Sequence, residues 1–367
     1  MKLPILFSIA FFLISSCGSS GPLISVNLKI FDKRPFVKIS SPGGVIIKCA
    51  GQKQLKGSIV ISISNLICGE IMVAPAGSSE VLCIYSDIPV KKYRGSLTVR
   101  VKDGRFHIIN MVSEDDYLCS VVGSEMDGRF PAEAKKAQAV VSRSLLYYLL
   151  REKKEPSDLP GEFQAYRGSD YESRDAAAAV AQTRGIVLTY KNRIIYPFFH
   201  STCGGTLLPF DIKRGLPGGF YPGIKEAKMD CTDGETNCSG SPYFHWKAEL
   251  DTADIERAAG IRGVNSMSLI TGKNGWVSGV LVVSGRTALF TACSFLDLIH
   301  KNTHGAKGPL SYMFTVKKRG SFYEFEGSGF GHHSGMCQWG ARGLSLRGKK
   351  YPWILAFYYP GCVLLCR

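Results

Sequence analysis

The chain has 367 residues, 45% of them hydrophobic and 20% charged, and its mean hydropathy is +0.03. That balance builds a substantial core, excludes a disordered protein, and leaves room for two domains or one large domain with additions. The 45 Lys and Arg against 30 Asp and Glu give a net charge of +15, which suits nucleic acid, an anionic membrane or an anionic wall polymer. No RNP-like, zinc-finger or basic-zipper signature is present, so nucleic acid ranks last and no nucleic-acid partner is expected.

The chain opens with Lys2, an apolar run from Leu3 to Ile14, then Ser15, Ser16 and Cys17. A charged start, a short apolar core and small residues describe a secretory signal over residues 1–16, too short to span a membrane. Ile14-Ser15-Ser16-Cys17 resembles a lipobox, which makes Cys17 the expected lipid-bearing residue and 17–24 a tether. The expected location is therefore the cell envelope, as an exported lipoprotein. Twelve cysteines in an exported chain permit disulfides, and eleven remain if Cys17 is lipidated (12 − 1). Cys231/Cys238 and Cys362/Cys366 are the short-range candidates.

From Ser25 to about Arg105 the chain alternates apolar and polar residues, rich in β-branched types and punctuated by Gly, Pro and Asp-Gly. This predicts antiparallel strands, with packing as the default role. Residues 115–148 then read as a short helix, a tight turn and a longer helix. Tyr117, Leu118, Val121 and Val122 share one face, Gly123 is placed as a helix end, and Asp127-Gly128 as a turn. Pro131 starts the second helix, whose apolar stripe is Ala134, Ala137, Val141, Leu145 and Tyr148. Glu125 is thus expected in an elbow between two buried helices. A solvated turn residue is the ordinary reading of such a carboxylate.

Glu152 to Gly161 reads as a loop, Asp175 to Arg184 as a helix closed by Gly185, and 186–190 with 193–200 as strands about a turn at Lys191-Asn192. Thr206 to Ser241 is a long irregular excursion of the kind that tends to be functional. Val280 to Phe290 reads as a hairpin and Phe295 to His300 as a helix. A glycine-rich loop and helices at 338–346 and 353–358 close the chain. The fold class expected is α+β.

Three groups carry candidate chemistry. Glu125 can act as a proton donor to a glycosidic oxygen if its pKa is raised. Glu114, Asp115 and Asp116 are accounted for as helix N-terminal charges, so no second catalytic acid is evident. A one-carboxyl reaction, with a substrate hydroxyl as nucleophile, fits better. Gln138 lies in the apolar stripe and should be buried and hydrogen-bonded. Lys136 and Arg143, seven residues apart, share a face that is by default solvated. Second, Gly327 to Ala341 is dense in glycine and carries His332 and His333, candidates for acid–base, metal or substrate contacts. Third, His200 and Cys203, with Cys231, Cys238 and His245 downstream, could assemble a tetrahedral zinc site, disulfides being the simpler account. Cys203 beside His200 as a nucleophile is a further option.

Asp116-Tyr117-Leu118, Val121-Val122, Glu125-Met126, Pro131, Glu133-Ala134, Lys136 to Val140 and Arg143 together resemble the signature of the SpoIID/LytB family. Tyr93 to Leu97, Asn110, Ala179-Val180, Thr183-Arg184-Gly185 and Leu188 to Tyr190 continue the resemblance. Ser201, Gly204 to Thr206, Gly331-His332, Gly335-Met336, Gln338, Gly340-Ala341 and Tyr358 to Gly361 complete it. Asp127, His333 and Cys337 depart from the usual pattern.

The resemblance implies a strand-rich region at 25–92 and a SpoIID-like catalytic domain at 93–361, with the elbow lining a cleft. It implies a peptidoglycan lytic transglycosylase acting on denuded glycan, with Glu125 as catalytic acid/base. Lys136, Gln138, Arg143, His332 and Gln338 are then expected to bind substrate. Other relatives are amidase enhancers, so a non-catalytic glycan-binding enhancer of a cell-wall amidase is the alternative. No cofactor is required. Because some relatives bind zinc near the cleft, a structural zinc at His200 and Cys203 is the metal expectation. Peptidoglycan, the membrane through the lipid, and an amidase are the expected partners.

Overall fold

Alternating apolar residues build the first body. In the computed structural model, which describes residues 21–49, 51–64, 69–77, 80–159, 163–209, 221–272, 275–302 and 308–367, residues 23–113 form an eight-stranded antiparallel sheet. The strand Leu23–Asn27 pairs with Arg105–Ser113, followed in space by Ser96–Lys102, Glu70–Pro75, Phe36–Cys49, Leu82–Tyr85 and Lys91–Tyr93. Phe36–Cys49 also forms a hairpin with Gln52–Ser62, and its register breaks between Ser40 and Val45. That break lets one half of the strand pair with Glu70–Pro75 and the other with Leu82–Tyr85. Val37, Ile39, Val45, Ile47, Val73, Val99, Phe106 and Ile108 point inward with the period of two that pleating requires. The sheet continues past residue 93 to Ser113, so the expected division at 92 and 93 falls inside it.

Two helices follow, α1 (Glu114–Glu125) and α2 (Ala132–Arg151). The Ser113 side chain caps α1 by accepting the Asp116 N–H at 3.1 Å. Tyr117, Leu118, Val121 and Val122 close the sheet's core, each fully buried. A buried Val or Leu contributes about 1.5–3 kcal/mol relative to exposure. The helix does not stop at Gly123, as expected, but runs to Glu125. Gly123 is required instead because a Cβ there would overlap the Tyr171 carbonyl oxygen. Pro131 is the residue before the second helix rather than its first.

The far face of α2 forms a second core with the strand Ile186–Tyr190 and the helices α6 (Gln338–Leu346) and α7 (Tyr351–Tyr358). Between them in sequence stand α3 (Arg174–Gln182), α4 (Thr252–Ala259) and α5 (Ala292–Asn302). The Lys191-Asn192 turn forms as expected, with φ of 49° and 59°.

Residues 245–328 make a third core of their own. His245–Asp251 pairs with Phe322–Ser328, and that strand with Phe314–Arg319. Ser266–Thr271, Val277–Ser284 and Arg286–Thr291 form a meander covered by α4 and α5. The sequence reading contained the hairpin and α5 but neither α4 nor the first meander strand. The α+β class stands. The signal, Cys17 and the first half of the tether lie outside the described residues, and the tether's last two residues, Leu23 and Ile24, belong to the first strand. Among those described, no helix is long and apolar enough to cross a membrane.

Candidate active site

The last residue of α1 is Glu125, and it opens into a cleft of about 240 Å³. The floor and walls come from the elbow (Ser124, Asp127, Arg129, Phe130), from Ser201, Pro242 and Tyr243, and from Gln338 and Trp339 at the start of α6. Because α6 packs against α2, residues more than 200 positions apart meet here. Glu125 Oε1 accepts the Ala165 N–H at 3.3 Å, and Oε2 accepts the Gln338 side-chain amide at 3.4 Å. Gln338 also donates to Gln138 Oε1 at 3.3 Å, and Gln138 donates in turn to Ser142 Oγ at 3.0 Å.

Burial pushes the Glu125 carboxyl above the usual carboxylate range, and the Ala165 and Gln338 donors with the Arg167 charge offset only part of that. Glu125 nonetheless keeps part of its surface on the cleft. This is the environment of a carboxyl that can carry a proton and deliver it. Asp127, two residues on, is held in the opposite state. Its carboxylate takes three hydrogen bonds of 2.7–3.0 Å from the Arg129 guanidinium, which keeps it below the ordinary aspartate range.

Aromatic rings line the mouth. Trp339 packs against Phe130 at 5.4 Å between ring centres, with Arg129 and Arg342 over its face at 5.4 and 5.1 Å. Tyr243 and Phe330 stand edge to face at 5.3 Å and are exposed. Flat apolar faces beside polar hydrogen-bonding groups suit sugar rings. Sequence reasoning missed Trp339, Tyr243, Arg129 and Arg342, because nothing local marks an aromatic as a cleft wall.

Of the expected binding residues, Gln138 and Gln338 lie with Glu125 and the other three do not. Lys136 pairs with Glu133 at 2.7 Å, and Glu133 accepts the Tyr351 N–H at 2.9 Å, so this pair ties α2 to α7. Arg143 is fully buried on Glu114 at 2.7 Å, and its place is that of a cross-brace rather than a glycan contact. His332 is absent from the described lining of the Glu125 cleft. Its ring meets His200 at 5.3 Å and Phe198 at 5.6 Å, and its Nδ1 accepts the Ser334 N–H at 3.1 Å.

The expected cysteine pairs are corrected too. Cys231, Cys238, Cys362 and Cys366 are free thiols, and Cys49 is disulfide-bonded. Cys238 turns inward to Cys203, while Cys231 stays on the short hairpin Cys231–Thr232/Glu235–Thr236. Cys362 sits against Tyr221, while Cys366 is exposed at the end of the strand Val363–Cys366. For the metal expectation, Cys203 falls in a group with Asp230, Cys238 and Cys337, all buried, and His200 does not belong to it. The His200 Nδ1 faces the Ser334 carbonyl at 3.1 Å.

Gln338→Leu tests the Glu125 cradle. Its amide stabilises the charged carboxylate, so its loss raises the Glu125 pKa further. The alkaline limb of the activity profile then moves to higher pH. The lost hydrogen bond to a charged group is worth about 1.5–3 kcal/mol, a rate loss of tenfold or more. An unmoved pH limb would place Gln338 outside the proton-transfer step.

Fold and site together define an α+β protein with one partly buried carboxyl of raised pKa in a sugar-sized cleft. A family model described as Stage II sporulation protein matches residues 102–190, which span the elbow. An uncharacterized protein of Brachyspira hyodysenteriae is 28% identical over 280 residues, covering 74% of this chain and 71% of that protein. Stage II sporulation protein D of Bacillus subtilis is 27% identical over 268 residues, covering 67% of this chain and 73% of its own length. The amidase enhancer of the same organism is 27% identical over 285 residues, 67% of this chain but 40% of that protein. The chain is thus similar to proteins of the SpoIID/LytB family, the resemblance its elbow and C-terminal blocks led one to expect.

Proposed function

We propose that this chain is a peptidoglycan lytic transglycosylase, exported to the cell envelope and cutting denuded glycan strands. The observation that carries the reading is the half-buried, pKa-raised Glu125 at the floor of an aromatic-lined cleft, with the neighbouring Asp127 neutralised by Arg129. The protonated Glu125 donates to the oxygen that links N-acetylmuramic acid to the next sugar, and the C1–O bond breaks. The resulting carboxylate takes the proton of the muramyl C6 hydroxyl as that oxygen closes on C1. A 1,6-anhydro end forms, no water is consumed, and Glu125 ends as it began, protonated. The Ala165 N–H and the Gln338 amide stabilise the carboxylate during the interval in which it is charged. Arg342 at the mouth, on a chain of net charge +15, suits the lactyl carboxylates of a denuded strand.

The test is digestion of denuded glycan by the purified chain alone, with products read by mass spectrometry. Anhydro-muramyl ends support the reading, and ordinary reducing ends would make the chain a hydrolase. Strands that bind but are not cut would leave an amidase enhancer, the description carried by one relative. Asp127→Asn sharpens the distinction. Glycosidases that use water need a second carboxylate, and one engaged with Arg129 is poorly placed to serve. Asp127→Asn should therefore retain anhydro products at a rate within about threefold of the parent. A loss on the order of a hundredfold would make Asp127 a partner in the chemistry.

A further inference from the structure

Behind the cleft the fold brings together four side chains that the glycan reaction does not use. Cys203 comes from the loop after Phe199–His200, Asp230 and Cys238 flank the short hairpin, and Cys337 is the residue before α6. Their Sγ atoms and one carboxylate oxygen all lie within 4.8 Å of one another, and all four residues are 0% exposed. Three thiols and a carboxylate gathered in a dry core, from three separate stretches of chain, lack any obvious reason as packing. A buried carboxylate is costly unless a cation or several donors meet it. Here Asp230 Oδ1 has two neutral donors, the Asn237 amide at 2.8 Å and the Tyr358 hydroxyl at 3.0 Å, while Oδ2 faces the Cys203 sulfur at 3.1 Å.

We propose that Cys203, Cys238, Cys337 and Asp230 bind one zinc ion. The spacing fits. Zn–S bonds of about 2.3 Å at tetrahedral angles separate two sulfurs by about 3.8 Å. Cys203 and Cys238 stand 3.6 Å apart, far beyond the roughly 2.0 Å of a disulfide. The surroundings also fit thiolates. The Gly205 N–H points at the Cys238 sulfur at 3.3 Å, and the Cys203 and Gly340 N–H groups point at the Cys337 sulfur at 3.4 and 3.2 Å. Asn237 and Tyr358 fix the outer oxygen of Asp230 and leave the inner one toward the ion, as supporting residues of metal ligands do. Gly340 allows the approach: a Cβ there would overlap both the Tyr358 hydroxyl and Asp230 Oδ2.

Soft thiolates with one hard oxygen select zinc among common divalent ions, and the three thiols release their protons to solvent on binding. With four protein ligands and no exposed surface, the site is closed, so the ion is structural. Its consequence is positional. Cys337 caps α6 and immediately precedes Gln338 and Trp339, so the ion pins the loop–helix junction that aims Gln338 at Glu125. The proposal stands whether or not the chain cuts glycan.

The experiment is metal analysis of the full-length chain, extracted in detergent and purified without added metal or chelator. About one zinc per chain is expected, resistant to dialysis against EDTA and released stoichiometrically by an organomercurial that titrates thiols. Cys203→Ser and Asp230→Asn should lower bound zinc at least tenfold, while Cys293→Ser, on α5 and outside the cluster, leaves it unchanged. Should those variants precipitate, the parent chain grown on cobalt decides. Thiolate-to-cobalt charge transfer and tetrahedral d–d bands are expected, and their absence overturns the site. Protein without bound metal, iron in place of zinc, or a mapped disulfide joining any two of Cys203, Cys238 and Cys337 also overturns it.

Discussion

Glu125→Gln should abolish anhydro-product formation, with kcat down by at least about a hundredfold and up to about ten-thousandfold, the usual worth of a general acid–base group. The fold should survive. The amide keeps the shape of the carboxyl and can still meet the Ala165 N–H and the Gln338 side chain. Glycan binding, measured by retention on denuded strands, should change little, because the aromatic and arginine contacts at the mouth are untouched. The same substitution should raise stability relative to the parent on the high-pH side of the Glu125 titration. Burial raises the Glu125 pKa in the folded state above its unfolded value, so the folded chain holds its proton more tightly. The stability this contributes is fully present below the unfolded pKa and is lost as pH rises through the folded one. A glutamine carries no charge to bury and escapes that loss. Denaturant midpoints across pH should therefore show the parent falling relative to the variant as pH rises through the raised Glu125 pKa. Activity follows the same direction, since the acid must start protonated and the rate falls on the alkaline side. A variant that still cuts at the parental rate would remove Glu125 from the mechanism and with it the proposed reaction.

How far this could be read beforehand depends on whether the determinant is local. The elbow is local: period 3.6 in Tyr117 to Val122, Asp127-Gly128, and Pro131 describe α1, turn and α2 to within a few residues. Gln138 was legible for the same reason, since an amide within an apolar stripe must find partners, and it finds Ser142 and Gln338. Lys191-Asn192 was legible because a two-residue hairpin loop needs left-handed residues. The closed end of the cleft was not local. Trp339 and Tyr243 face Glu125 only because α6 packs on α2 and residues 241–244 fold back. The thiol cluster joins positions 134 residues apart, a distance over which spacing carries no information, so the sequence sets Cys203 beside its neighbour His200, which lies outside the group of Cys203, Asp230, Cys238 and Cys337. Gly123 was misread because its cause is the Tyr171 carbonyl, far away in sequence and invisible in a helix-ending pattern.

Arg143→Ala should destabilise the fold by about 3–5 kcal/mol while leaving the pH dependence of any residual activity where it was. Periodicity put Arg143 on a solvated face with Lys136, yet its side chain is 0% exposed. Its guanidinium donates to Glu114 Oε1 at 2.7 Å and to the carbonyls of Thr183, Ile186 and Val180 at 2.7, 3.3 and 3.4 Å. Glu114 in turn is saturated: its other oxygen takes the Tyr147 hydroxyl at 2.5 Å. One cation therefore satisfies the open carbonyls at the end of α3, neutralises the acid that starts α1, and does so from the middle of α2. Removing it leaves the buried Glu114 carboxylate without its cation, while the Thr183 and Val180 carbonyls keep the backbone donors of Ile186 and Thr183. The cost falls on the junction that holds α1, and hence on the place of Glu125, without altering the groups around that carboxyl. Glu114→Gln with Arg143→Met should recover much of the loss, because a neutral pair avoids burying either charge alone. Urea titration of the single and double variants measures both terms. If Arg143→Ala kept the parental midpoint and instead lost affinity for denuded glycan, Arg143 would belong to the cleft and the cross-brace account would fail.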